Sequence, residues 1–171
     1  MAGNKYIELN SNGALQEHFS VDTSAGAGDA GEVVALDSTG KIDQTMMPVG
    51  IVPDLANVVS FEDLNAGDFV NVFDNASTPN VRKADATTVG KEADGYVLAA
   101  VTAPATVDVY FENTNIQVSG QTIGAPVYLQ TVAGTAGPTA PATSGNIVQR
   151  LGKAISATAV SFEAGQPITV A

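Results

Sequence analysis

The sequence predicts an all-β protein: a small β-barrel or β-sandwich over residues 51–171, preceded by an extended N-terminal arm over residues 1–50. Three observations lead there. The apolar residues are mostly small or β-branched, 21 Val and 26 Ala against 8 Leu, accompanied by 16 Thr, 17 Gly and 8 Pro; this mixture suits strands and turns better than long helices. From about residue 57 onward, short β-rich runs recur between turn residues. Some of these runs alternate: in Phe69-Val-Asn-Val-Phe73 and Val107-Asp-Val-Tyr-Phe111, polar Asn71 and Asp108 interrupt the apolar residues, which predicts one buried face and one solvated face.

Along the arm, Lys5–Leu9 reads as a short strand, followed by the turn Asn10-Ser-Asn-Gly13. Ser24-Ala-Gly-Ala-Gly-Asp-Ala-Gly31 holds three glycines in six residues and reads as a flexible hinge. Glu32-Val-Val-Ala-Leu36 is strand-like and closed by the turn Asp37-Ser-Thr-Gly40; after it, Asp43 can cap a single helical turn that Pro48 stops. The domain that follows has strand candidates at 58–61, 69–73, 80–83, 96–101, 107–111, 127–131, 147–151, 154–156, 160–162 and 168–170.

An internal echo runs through this domain. Asn65-Ala-Gly-Asp-Phe-Val-Asn-Val leads into one strand, and Thr122-Ile-Gly-Ala-Pro-Val-Tyr-Leu leads into another 57 residues later. Each is followed by an Ala-rich strand pair, with an offset of 55 from Ala99 to Ala154. Two similar halves would let a small barrel close and bury its edges. The alternative is that strand, turn and hairpin recur in any all-β chain.

Eighteen acids against seven bases give a net charge of −11, which repels nucleic acid and anionic membrane. The charge is uneven, because residues 113–171 carry only Glu163, Arg150 and Lys153. Such a surface suits subunit contacts, where charge is disfavoured at the centre, or else a hydroxyl-rich solvated sheet. The absence of cysteine excludes disulfides, thiolate metal sites and cysteine nucleophiles. No apolar run has the length of a signal peptide core or a membrane span.

The sequence supplies no catalytic constellation, cofactor fingerprint or metal motif, and the expectation is of a non-enzyme without cofactor. Ser38-Thr-Gly-Lys41 lacks both the hydroxyl residue after the lysine and the earlier glycine of a phosphate loop. His18 is the only histidine, it lies in the arm, and no Gly-x-Ser-x-Gly elbow accompanies it. The acid pairs Glu62/Asp63 and Glu92/Asp94 sit beside turn signals and read as solvated loop acids.

Two stretches carry a resemblance. Ala30-Gly-Glu-Val-Val-Ala-Leu-Asp-Ser-Thr-Gly-Lys-Ile-Asp-Gln-Thr-Met-Met-Pro48 resembles a connector found in structural proteins of tailed bacteriophages. Ile123-Gly-Ala-Pro-Val-Tyr-Leu129, with the run from Pro141 to Thr158, is similar to a small β-domain of phage head decoration and appendage proteins. The resemblance implies a virion protein on the outer surface of the capsid. It would be a homotrimeric decoration or cement protein whose partner is the major capsid protein; a head-fibre or tail-appendage module contacting the host is the alternative. In the arm, Tyr6, Ile7 and Leu9 would add a strand to a partner's edge. Val33, Val34, Leu36, Ile42, Met46 and Met47 would make apolar contacts with a neighbouring subunit or the shell, or else pack on the chain's own barrel.

Overall fold

The computed structural model describes residues 5–38, 40–47 and 54–171. The chain divides into two compact units, residues 1–52 and 53–171. The expected arm boundary at 50/51 and the Pro48 stop lie outside the described residues, as does Thr39 in the expected turn at 37–40.

The first unit folds on itself rather than running out as an extended arm. Strand β1 (Lys5–Leu9) turns at Asn10 and returns as β2 (Leu15–Phe19), which the sequence reading missed. The Asn10 side-chain oxygen accepts the main-chain N–H groups of Asn12 and Ala14, each at 3.0 Å, so one asparagine holds the turn. The expected hinge is a tied turn. Ala27–Asp29 forms a 3-10 turn, the Asp29 carboxylate accepts the Ala25 N–H, and the Ser24 N–H donates to the Thr45 hydroxyl at 2.7 Å. The expected strand at 32–36 reduces to a single parallel bridge between Val34 and Val21. Asp43 does cap a single turn, Gln44–Met46, by accepting the Thr45 N–H.

The second unit is two β-barrels, one closed and one open. Strands β3 (Leu55–Ser60), β4 (Phe69–Asn75), β5 (Thr78–Lys83), β6 (Gly95–Val97) and β7 (Thr106–Tyr110) close in the order β3-β5-β4-β6-β7. All pairs are antiparallel except β3 with β5. Strands β8 (Asn113–Asn115), β9 (Pro126–Leu129), β10 (Ala136–Gly137), β12 (Arg150–Ser156) and β13 (Ala159–Phe162) form a sheet in the order β10-β9-β12-β13-β8. Beside it, β11 (Ile147–Val148) pairs with β14 (Ile168–Thr169). Short β8 and β10 carried no periodicity and were not expected from the sequence.

These two orders are the same order. Matching β3, β4, β5, β6 and β7 to β8, β9, β10, β12 and β13 reproduces every antiparallel pair. Val70–Gly95 and Phe69–Tyr96 recur 57 residues on as Val127–Gly152 and Pro126–Lys153. The loop bonds repeat too: Gly67 N–H to Val97 O and Gly124 N–H to Ala154 O are both 2.8 Å. The return bonds, Val97 N–H to Asp68 O and Ala154 N–H to Ala125 O, are both 3.0 Å. The halves expected from the echo are therefore similar in strand order and register, but the alignment of Ala99 with Ala154 is corrected. Ala154 stands where the first half has Val97, because hydrogen-bond register fixes the correspondence and alanine content does not.

The barrel interior is Val58, Leu64, Val70, Val81, Val97, Val107 and Val109. Its smaller counterpart in the second half is Val127, Ala154 and Val160, with Val118 and Ala136 packed against them. Between the halves lies a shared core of Phe69, Tyr96, Leu129, Leu151 and Phe162. Here Tyr96 and Phe162 meet edge to face, 5.5 Å between centroids. Gln149 adds a polar clamp, its carboxamide exchanging hydrogen bonds with the N–H and C=O of Ala93. Alternation predicted the exposed Asp108 correctly, but Asn71 is buried and bonded to Glu92 O, Asp94 and Arg82, so both faces of β4 are covered near its start.

Candidate functional site

The N-terminal hairpin presents its apolar face to solvent. Side chains alternate along a strand, so Lys5, Ile7 and Leu9 share one face of β1, and their cross-strand partners Phe19, Glu17 and Leu15 share that face of β2. Ile7, Leu9, Leu15 and Phe19 are 63–74% exposed. At the rim, Lys5 bridges Glu17 at 2.6 Å and lies 4.7 Å above the Phe19 ring.

The opposite face is the polar one, and it is the better covered. Tyr6 donates to Glu32 at 3.0 Å and lies 3.1 Å from His18 Nδ1. That nitrogen is also 3.2 Å from Glu8 and 3.5 Å from Glu32. Loss of solvent, then the Glu32 hydrogen bond and charge, raise the Tyr6 phenol above its ordinary pKa.

Of the residues expected to make contacts, Ile7 and Leu9 lie on this exposed apolar face, whereas Tyr6 belongs to the polar face. Val33, Val34, Leu36, Ile42 and Met47 are exposed, and Met46 is half-buried. Sequence reasoning missed Leu15 and Phe19. The signal was present in the Asn10–Gly13 turn, which folds Leu15 back onto Leu9 and Phe19 onto Lys5. No residue among the described positions 5–47 is buried, so these residues form no core among themselves.

The paired acids Glu62/Asp63 and Glu92/Asp94 all hold main chain. Glu62 accepts the Lys83 N–H, Asp63 that of Ala103, Glu92 that of Gly90 and Asp94 that of Val72. They are loop ties rather than merely solvated loop acids. Among the described residues, no group of three His, Cys, Asp or Glu side chains is placed to hold a metal ion. Nor, among them, is any helix long and apolar enough to cross a membrane.

On the closed barrel, Phe61 packs edge-on against Phe73 at 5.3 Å, and the Arg82 guanidinium lies 4.4 Å over the Phe73 ring. Val72, Phe73, Asp74, Ser77 and Pro79 line a shallow apolar depression beside this group. Compared with family models, with curated proteins and with solved structures, the chain matches none.

Proposed function

We propose that this protein is a decoration protein of a tailed-phage capsid. In this reading a homotrimer binds the outer surface of the assembled head and stabilises it by bridging major capsid subunits. One observation carries the reading: a hairpin with four large apolar side chains on its open face, in a unit with no buried residue among those described. Such a unit gains a core by packing on another surface, and in this reading that surface is the capsid's, since burial supplies the main favourable term in association. The resemblance of the 30–48 segment to phage connectors names the kind of partner. Exposed Val33, Val34, Leu36, Ile42 and Met47 extend the same apolar character along that segment. Many copies on one shell would add weak contacts into a firm hold.

The test is co-sedimentation of the purified protein with decoration-free heads, followed by heating the particles. Saturable binding at a fixed ratio to capsid subunits, with a raised rupture temperature, is the expected result. Absence of binding would remove the capsid reading.

A second reading, a head-fibre or tail-appendage module that contacts the host surface, is favoured by the Phe61, Phe73 and Arg82 group. Phe61 is 58% exposed, and an aromatic face beside a cation and an apolar depression suits a sugar ring. Screening host surface glycans, with Phe61→Ala as the control, separates the two.

A further inference from the structure

The connection between β6 and β7 opens a cleft in the side of the closed barrel. Phe111 N–H bonds Asp54 O and Ser60 N–H bonds Ala105 O, so the odd-numbered residues of β7 turn their main-chain groups toward β3. The even-numbered ones, Thr106, Asp108 and Tyr110, turn theirs toward β6. On that side, pairing runs through Tyr96–Tyr110 and Val97–Val109 and then stops. The chain from Leu98 swings away to the bridge between Val101 and Leu64. The main-chain groups of Thr106 and Asp108 therefore have no described strand opposite them.

The fold does not require this gap. The registers that match the halves put Val160 at the place of Val109 and Ala159 at that of Asp108. In the second half, pairing continues across a bulge to Ser156–Ala159, and only residues 157 and 158 join the two strands. In the first half the whole stretch 98–105 joins β6 to β7. The longer connection splays the strands, and edge groups that no strand meets must bond water or a ligand.

Leu98, Ala100, Val101, Thr106, Asp108 and Tyr110 line a cavity of about 210 Å³ in the gap. Leu98, Ala100 and Val101 make an apolar wall. Thr106 and Asp108 are exposed on the outer face of β7, because Val107 and Val109 fill the barrel. Asp108 accepts a hydrogen bond from the carboxamide of its cross-strand partner Asn57, which fixes the carboxylate beside the cavity. Tyr110 is held by stacking on Tyr96, 5.5 Å between centroids. Burial, and then the charge of Asp108, raise the Tyr110 phenol above its ordinary pKa, so it stays a neutral hydroxyl.

These groups select a ligand by its bonding. A strand edge offers N–H donors and C=O acceptors side by side. A cation would use the acceptors alone; an anion would use the donors alone and face the Asp108 carboxylate. A hydroxyl group uses both, and the apolar wall suits the C–H face of a ring that carries hydroxyls. A cavity of about 150 Å³ holds a benzene-sized ring, so this one has room for a six-membered ring with substituents. We propose that the cleft binds a neutral sugar ring, with Asp108, Thr106 and the unpaired strand edge meeting its hydroxyl groups and Leu98, Ala100 and Val101 lying against its C–H groups. The cleft shares no lining residue with the depression beside Phe73. The inference rests neither on the capsid reading nor on the Phe61 group.

The test is an amide NMR titration of the isotope-labelled full-length protein with glucose, galactose, mannose, N-acetylglucosamine and rhamnose, each to about 50 mM, enough to detect millimolar binding. At least one sugar should saturably shift the signals of Leu98, Ala100, Thr106 and Asp108. Asp108→Ala, which removes a charged acceptor at an exposed position, should raise the dissociation constant of that sugar about tenfold. Ala100→Phe, also at an exposed position, should fill the cavity and abolish the shifts. Phe61→Ala should leave them unchanged. Should Asp108→Ala disturb the barrel, Ala100→Phe decides the matter. No saturable shift with any of the five sugars, binding unaffected by both cleft variants, or binding lost in Phe61→Ala instead would each overturn the proposal. Failure to bind heads would leave it standing.

Discussion

Asp94 accepts hydrogen bonds from the Val72 N–H at 2.8 Å and the Asn71 carboxamide at 3.0 Å, yet its carboxyl pKa is raised above the ordinary value. Burial is the largest cause; the Val72 bond opposes it, and the charge of Glu92 adds to it. A carboxyl whose folded pKa exceeds its unfolded one binds its proton more readily when folded. Between those two values the native state holds more protons, so this group's contribution to stability falls as pH rises through the window and grows as pH is lowered. Asp94→Asn keeps an acceptor and removes the charge. Relative to wild type, its melting temperature should therefore be highest near neutral pH, and the difference should shrink toward about pH 4, near the ordinary carboxyl range. Thermal melts of both proteins across that range check this. A difference that grew with acidity would contradict the burial argument.

At the scale of elements, each barrel depends on one glycine at the same place in its strand order. Gly95 of β6 faces the Tyr110 carbonyl of β7, and Gly152 of β12 faces the Ser161 carbonyl of β13; a Cβ at either position would overlap that oxygen. Gly152 also has φ +136°, where only glycine is comfortable. Gly152→Ala should therefore cost on the order of 3–5 kcal/mol, the sum of backbone strain and steric overlap. Gly95→Ala suffers the overlap without the strain and should cost less. Urea unfolding of the two variants measures the ranking, and equal losses would contradict it. The hairpin of β1 and β2 follows a different logic. Its strands are joined by an Asn-stabilised turn and by cross-strand contacts such as Lys5–Glu17 and Tyr6–His18, not by a core.

At the scale of the molecule, the proposed reading gives the work of folding to the second unit and that of contact to the first. All three apolar core clusters lie in the second unit, and no described residue of 5–47 is buried. A fragment of residues 54–171 should accordingly fold with a melting temperature within about 4 °C of the full chain, a shift worth less than ~2 kcal/mol at this size. It should lose binding to decoration-free heads. Calorimetry of the fragment and head co-sedimentation test the two parts separately. Full head binding by the fragment would take the capsid contact away from the hairpin.

Much of this molecule was legible in one dimension because its causes are local. Alternation and turn chemistry are properties of neighbouring residues, so β1, β4, β5, β7 and β13 stand close to where the sequence places them, and the Asp43 cap does too. The Asn65 and Thr122 segments even disclosed the repeat, since each encodes its own turn before a strand. What stayed hidden depends on residues distant in sequence. β8 and β10 are strands only because β13 and β9 pair with them, and Glu32-Val-Val-Ala-Leu36 pairs through one bridge, from Val34 to Val21. Composition alone gives no sign that the hairpin's apolar face points outward, because the turn decides which residues share that face. Only tertiary structure decided that the first five strands of the second unit close into a barrel while the next set stays a five-stranded sheet, because closure depends on the side-chain volume that distant strands bring to a common interior.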